Sequence, residues 1–530
     1  MIAALAVFAA VFGLDLWCAY PCLAPRDGAD LASAALSLGV AHPPGYPLYA
    51  VLGRLWIAVL PLGNPAYRLN ALSAAAGAAA CALLFALVRR RAGALGGACA
   101  AALWALSRPL WKFSTLEEMY SLHALFAAAS LFLADGESAD VFARARLAGL
   151  VAGLGLVNHQ SLLLWVPGLL VLWREQARRA GEPAARLWAA AAPGLIAGLA
   201  LYAFLWARLG GLSAAVATAL RLRYGAGSLS TALARPLTAA SAVDLLGYAL
   251  AEMARASGLA AAAAAAFGAA LAWRERGARA SGWLLCAALA GPGFVVLSRF
   301  DPSDWVARST LESAFIGPAL FVAAFAGEAV GALSRRGAGA AALAAAALAA
   351  LAAGGSASAG DHREDFSAYD YVRDLRRCLP PGSAALVAGD TATFGLRWLD
   401  LAEPDGGRRE ISPAGLVDRA RWLAERAGGR EAFVAGLGPA DLAAMGLPSP
   451  RLPLTPQGLA QRLGQAPPLP AAEPPRPSGA DSYARDTRLS YAFSSWLAAR
   501  LLSARAAPAA VTDPYDLAAV VDDPDDYRLR

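Results

Sequence analysis

From Met1 to about Gly360 the chain is dominated by apolar runs whose length, about 17–25 residues, is what a helix needs to cross the ~30 Å hydrocarbon core of a bilayer. In that solvent every unpaired backbone N–H or C=O costs several kcal/mol, so each run is required to be helical. We place spans at residues 1–20, 67–88, 94–111, 118–134, 147–173, 186–208, 257–273, 281–298, 311–333 and 338–354. Residues 1–20 lack a basic leader and a small-residue cleavage site, and read as an uncleaved first span. The 147–173 run carries Arg clusters at both ends and Asn158-His159-Gln160 in its middle. One span cannot begin and end on the same side, so the run is expected to be a short re-entrant pair, giving about eleven helices.

Composition agrees with this reading. The 530 residues are 58% hydrophobic and 16% charged, against about 25% charged in ordinary soluble domains. After about Gly360 the chain turns charged and Pro-rich without another spanning run. The expected organisation is therefore a membrane domain over residues 1–355 and a soluble C-terminal domain over 356–530. Within the latter, Pro380–Asp390 reads as a turn, a buried strand and a strand-end acid, Ala414–Arg426 and Tyr483–Ser503 read as helices, and Pro448–Pro477 reads as a linker or extended cover. A small α/β unit is expected.

The net charge of +6 is carried almost wholly by Arg, without the basic and aromatic interleaving of a nucleic-acid groove, so no nucleic-acid partner is expected. The Ala/Arg/Gly bias reads as a GC-rich, bacterial genome. The four His (42, 123, 159, 362) are scattered and the six Cys sit mostly in apolar runs, so no zinc-type set is present and no metal is expected. Arg89-Arg90-Arg91, Arg144/Arg146, Arg174/Arg178/Arg179, Arg274/Arg276/Arg279 and Arg335-Arg336 alternate with the spans so that all five clusters share one side. By the positive-inside rule that side and the N-terminus are cytoplasmic, and the first loop (21–66) and the C-terminal domain lie outside, across a bacterial inner membrane. Pro43, Pro44, Pro47 and Pro61 break Leu31–Leu62 into two short surface helices joined at the His-Pro-Pro turn.

Polar residues beside hydrocarbon are costly and mark function by default. Asp27 and Asp30, spaced i,i+3, share a face on a helical turn and suit a general base or a metal clamp; the blander account is that Asp27 merely caps the helix beginning near Gly28. Glu117-Glu118-Met119-Tyr120 opens a span, where acids also suit the helix dipole. Asn158-His159 marks the tip of the expected re-entrant pair. Arg308 either pairs with Glu312 or receives a lipid phosphate, and a second outer loop, 209–255, holds Arg221, Arg223 and Arg235. His123, inside an apolar run, reads as a packed side chain. All but the last fall on one side by topology, which points to a site at the outer interface for a polar, phosphate-bearing, lipid-linked substrate.

Asp27-Gly28-Ala29-Asp30-Leu31, Gly39-Val40-Ala41-His42-Pro43-Pro44-Gly45-Tyr46-Pro47-Leu48-Tyr49, Leu52-Gly53-Arg54, Arg68-Leu69-Asn70-Ala71-Leu72-Ser73, Glu118-Met119-Tyr120-Ser121-Leu122-His123 and Gly153-Leu154-Gly155-Leu156-Val157-Asn158-His159 resemble the DUF2723 family, which includes protein O-mannosyltransferases. The likeness is tight over about residues 10–175, looser to about 330, and returns at Gly389-Asp390-Thr391-Ala392-Thr393-Phe394. It implies a polytopic GT-C glycosyltransferase, inverting, that takes a sugar such as mannose from a polyprenyl-phosphate donor to a protein hydroxyl or glycan acceptor on the outer face, with no further cofactor. The family usually has Asp-Ser-Gly-Glu where this chain has Asp27-Gly28-Ala29-Asp30, so the first acid is kept and the second is shortened. The resemblance implies Asp27 as base, Asp30 or Glu118 orienting the acceptor, Arg308 and Arg223 on the phosphate, and His42, Tyr46, Arg54, Tyr120, Asn158, His159 and Glu312 around the substrate. A lipid-linked sugar transporter and a non-catalytic membrane scaffold are the alternative readings.

Overall fold

The structure, a computed structural model, describes residues 1–136, 140–222, 236–426, 431–447, 454–464 and 482–502. Among them six helices are long and apolar enough to cross a membrane by length and composition: Pro65–Ala105, Val141–Asn158, Ala184–Leu209, Leu259–Ser298, Trp305–Ser334 and Ala338–Gly360. Ile2–Cys18, Pro47–Val59 and Tyr120–Ala134 are shorter apolar helices. Two of these long segments are each two helices meeting at a sharp non-helical residue, Pro65–Ala105 at Gly93 (φ 73°, ψ 178°) and Leu259–Ala288 at Arg276, so each holds a pair of the expected spans; at the first, Gly97 comes back against Phe85 and Arg89. The chain forms two compact units: one comprises Met1–Ala19, Gly39–Leu60 and Arg68–Asp361, the other Tyr20–Leu38, Pro61–Tyr67 and the described residues from His362 onward.

In the first unit, helices approach through small residues. Gly149 and Gly153 on Val141–Asn158 face Gly194 and Gly198 on Ala184–Leu199, a GxxxG stripe on each side. A methyl group added at Gly153 would lie 3.0 Å from Gly198 Cα, and one at Gly194 would lie 2.7 Å from the Leu150 nitrogen. A second crossing of the same kind sets Ala92 and Gly96 against Gly327 and Gly331. Without a hydrophobic drive between helices in lipid, such close backbone contact is what holds them.

The run expected as a re-entrant pair is instead two longer helices. Val141–Asn158 has 18 residues, about 27 Å at 1.5 Å per residue. His159 then breaks the rod with extended backbone, and a 3-10 turn, Gln160–Trp165, leads into Val166–Ala180. The two helices expected to meet at Asn158 are thus present but longer than the 147–173 run allowed, because the flanking Arg residues are themselves helical.

Three of the Arg clusters also differ from simple topological flags. Arg91 pairs with Asp135 and lies 3.6 Å from Glu328, Arg276 reaches Glu328 at 2.8 Å, and Arg279 reaches Asp135 at 3.0 Å. Asp135 and Glu328 are buried, so these cations close a network inside the unit, where breaking one partner is strongly destabilising. Arg144 donates through Nε to the Leu133 carbonyl at 3.2 Å. These basic residues therefore gather at one end of helices Tyr120–Ala134 and Val141–Asn158, while Tyr120 and Asn158 occupy the other.

The second unit is built on a five-stranded sheet. Strands β1 (Ala384–Val387), β2 (Glu410–Pro413), β3 (Ala432–Ala435), β4 (Leu454–Gln457) and β5 (Ala460–Leu463) lie in the order β2-β1-β3-β5-β4. The first three are parallel, joined through helices Asp390–Ala402 and Arg419–Arg426; β5 and β4 add antiparallel. β1 and β3 are wholly buried, as their unbroken apolar runs require. Leu386, Val434, Trp422, Phe493 and Leu497 fill the core on one side. The Pro448–Pro477 stretch, expected to be linker, contains the β4–β5 hairpin. Gly458 at φ +63° makes the tight turn, and Pro456 is tolerated because β4 is an edge strand. All six cysteines are thiols.

Replacing Gly153 or Gly198 by Ile is expected to destabilise the fold by about 3 kcal/mol, the upper end of overpacking costs. Gly247→Ala, where no atom lies within 4 Å, is expected to be neutral or slightly stabilising. Thermal unfolding of the detergent-solubilised protein distinguishes the two.

Candidate functional site

Each unit carries part of the predicted residue set. In the second unit, Asp27 precedes helix Gly28–Ser37, whose first-turn Asp30 and Leu31 amides bond to the Asp27 carbonyl at 3.0 and 3.1 Å. Its own dihedrals are helical (φ −74°, ψ −15°), and its carboxylate accepts no capping bond from the first turn. The blander account, a side chain spent on capping, is therefore not what the geometry has. Arg26, just before it, stands in the left-handed region at φ 64°. Asp27 and Asp30 are both half-buried.

In the first unit the polar residues assemble at the end opposite the ion network. The buried Asn158 donates through Nδ2 to the Met119 carbonyl at 3.1 Å, while the Ser73 hydroxyl donates to the Glu118 carbonyl at 3.3 Å. The Glu118-Met119-Tyr120 turn is thus tied to two other helices. Asn158 Oδ1 has no donor among the described residues, so a buried acceptor faces this turn. His159 Nδ1 lies 2.6 Å from the Ser161 hydroxyl, which lies 3.3 Å from His123 Nε2. The two imidazoles are 5.1 Å apart, and the Tyr120 ring is 5.5 Å from His159. Tyr120, His123, His159, Ser161 and Ser313 line a cavity of about 30 Å³, room for roughly two water molecules.

His42 and Arg221 are among the charged neighbours of His159. The His42 ring meets Tyr46 edge-on at 5.0 Å, and Tyr46, buried and at φ 43°, starts helix Pro47–Val59. Glu312 does not pair with Arg308. It is held by Arg108 at 3.0 Å and by Lys112, itself 1% exposed, at 2.7 Å. Arg308 lies exposed near the end of helix Trp305–Leu311, and Arg54 is exposed on Pro47–Val59. Arg223 falls outside the described residues.

The structure therefore brings Glu118, Tyr120, Asn158 and His159 together, with His42 nearby, while Arg54 and Arg308 are exposed. Sequence reasoning missed His123, Ser161, Arg108 and Lys112. His123 stands three residues after Tyr120 on one helix face, a spacing that flags it once Tyr120 is a candidate. Lys112 was visible as a lone Lys in an Arg-rich chain.

Comparison with known proteins gives the following. Residues 27–180 match the family model described as the protein O-mannosyl-transferase TMEM260 N-terminal domain. The chain is 39% identical over 171 residues to protein O-mannosyl-transferase TMEM260 of Mus musculus, covering 31% of this chain and 24% of that one. It is 28% identical over 117 residues to the Dictyostelium discoideum protein O-mannosyl-transferase tmem260, covering 22% and 14%. The chain thus matches about a quarter or less of the length of these curated relatives. Among solved structures, ArnT from Cupriavidus metallidurans superposes with a TM-score of 0.57 in both its apo form and its undecaprenyl-phosphate complex. The apo comparison is 14% identical and covers 87% of this chain and 96% of that one. At this identity the likeness shows the fold, which the chain shares with ArnT. The model's match begins at Asp27 and ends where the Val166–Ala180 helix ends, so it takes in both the acidic turn and the Asn158-His159 end.

Lys112→Ala is expected to cost about 3–5 kcal/mol because it removes a buried partner of Glu312. Arg108→Ala, at a side chain 42% exposed, is expected to cost about 1 kcal/mol or less. Comparative thermal unfolding of the two variants checks the order.

Proposed function

We propose that this protein is a membrane glycosyltransferase that moves a sugar, mannose in the first instance, from a polyprenyl-phosphate donor to a hydroxyl on a protein or glycan acceptor, at the outer face of the membrane. The observation that carries the reading is the Asp27 turn. The O-mannosyl-transferase family match opens on it, and Asp27 stands half-buried at the head of the Gly28–Ser37 helix.

The chemistry follows from what such a transfer needs. The acceptor oxygen attacks the anomeric carbon, the bond from that carbon to the donor phosphate breaks, and the pair of electrons leaves with the polyprenyl phosphate. The acceptor proton goes to Asp27 as general base. One displacement inverts the anomeric centre. Asp30, three residues on, orients the acceptor, and Arg308 and Arg223 take the charge that develops on the departing phosphate. His42, Tyr46, Tyr120, Asn158 and His159 contribute donors, acceptors and ring faces around the sugar. Asn158 supplies a buried acceptor suited to a sugar hydroxyl. Arg54 and Glu312 lie further out in this reading, Glu312 acting through Lys112 and Arg108. The phosphate is met by cations of this chain, and the step asks for no metal.

The donor class draws support from fold-level likeness, since ArnT of Cupriavidus metallidurans has been solved with undecaprenyl phosphate bound. The acceptor class draws support from the O-mannosyl-transferase relatives.

The test is transfer of radiolabelled mannose from a polyprenyl phosphate to a peptide rich in Ser and Thr by purified full-length protein. Asp27→Asn is expected to lower turnover by about 10²–10⁴-fold, the usual contribution of a general base, with donor binding retained. Asp27→Asn at wild-type turnover would remove Asp27 from the mechanism.

A further inference from the structure

We infer that the C-terminal α/β unit holds the Asp27 turn in its working conformation, with Thr391, Tyr483 and Asp486 as positioning residues. The inference rests on the proposed role of Asp27 and gives a task to a part of the chain to which the reaction itself assigns none.

The backbone needs such a clamp. Arg26 is a non-glycine residue at φ 64°, where Cβ crowds the following carbonyl. A residue persists there only when its surroundings over-determine it. That left-handed step swings the chain from Pro25 into the helical dihedrals of Asp27, so it sets the direction in which the Asp27 side chain leaves the backbone. If Arg26 relaxed to negative φ, the Gly28–Ser37 helix would start from a different heading.

Three contacts from two separate helices hold it. The Arg26 amide donates to Thr391 Oγ1 at 2.8 Å, across 365 residues of sequence. Its guanidinium pairs with Asp486 at 3.5 Å and lies 4.6 Å from the centre of the Tyr483 ring. Thr391 is the second residue of helix Asp390–Ala402 and is buried; Tyr483, also buried, and Asp486 are one turn apart on Ser482–Leu502. A part-buried amide left without an acceptor is costly, so Thr391 Oγ1 favours the left-handed step over its alternatives.

The rest of the loop is pinned in the same way. Helix Gly28–Ser37 packs along Asp390–Ala402, the Tyr20 ring stacks on His362 at 4.3 Å, and Asn64 Nδ2 donates to the Pro21 carbonyl at 3.0 Å. The Gly389-Asp390-Thr391 motif, which the sequence leaves without a role, is on this account the acceptor side of the clamp. A displacement of about 1 Å at a reacting group costs on the order of 10²-fold in rate, so partial loosening registers in turnover before it registers in binding.

The test uses full-length protein in nanodiscs, with hydrogen exchange over residues 22–31 measured beside transfer of mannose from a polyprenyl phosphate. Thr391→Val and Asp486→Asn are each expected to speed exchange in that segment and to lower kcat about 10-fold, with the donor KM within 2-fold of wild type. Thr391→Ser, which keeps the hydroxyl, is expected to restore both. Unchanged exchange in both variants would overturn the inference, and so would faster exchange with wild-type kcat. Asp27→Asn separates the two ideas. Its loss of transfer beside wild-type behaviour of Thr391→Val overturns the clamp alone. Its retention of transfer overturns the base assignment, and with it the purpose given to the clamp.

Discussion

Close approach of glycine faces is the contact on which the membrane part of this molecule depends. Where Gly149 and Gly153 meet Gly194 and Gly198, two backbones lie at a separation that any side chain would prevent. Lipid offers an apolar helix no reason to leave it for another helix, so the attraction has to come from dispersion over many short contacts. Ala92 and Gly96 against Gly327 and Gly331 repeat the device elsewhere in the unit. With these helices held at short distance, the direction in which the residues at their ends are presented is set by backbone contact.

The two ends of that bundle are chemically opposite. At one, Arg91, Arg276 and Arg279 are matched to Asp135 and Glu328 in a buried ion network. At the other, Asn158, His159, Ser161, His123 and Tyr120 form a chain of polar groups around a small cavity, with the buried Glu118 in the turn that Asn158 holds and Arg221 near His159.

Much of this was legible. Helices, the break at Asn158-His159, the two helices flanking the His-Pro-Pro turn and a buried strand at Ala384–Val387 all follow from period, length and Pro placement. What escaped were matters of pairing across sequence. Arg91 and Arg276 looked like topological flags because Asp135 and Glu328 stand 44 and 52 residues from them. His123 looked like packing because its partner Ser161 lies beyond a helix end. Most of all, nothing local ties Arg26 to Thr391, so Tyr20–Leu38 and the far end of the chain read as separate parts when they belong to one compact unit. The β4–β5 hairpin was hidden by prolines that an edge strand accepts.

The account stands on a single displacement in which Asp27 takes a proton and does not itself bond to the sugar. The most direct measurement is the anomeric configuration of mannose transferred to a peptide hydroxyl, read by NMR against that of the polyprenyl-phosphate donor. Inversion is the predicted result. Retention would require a glycosyl-enzyme intermediate and two displacements, and would contradict the role given to Asp27.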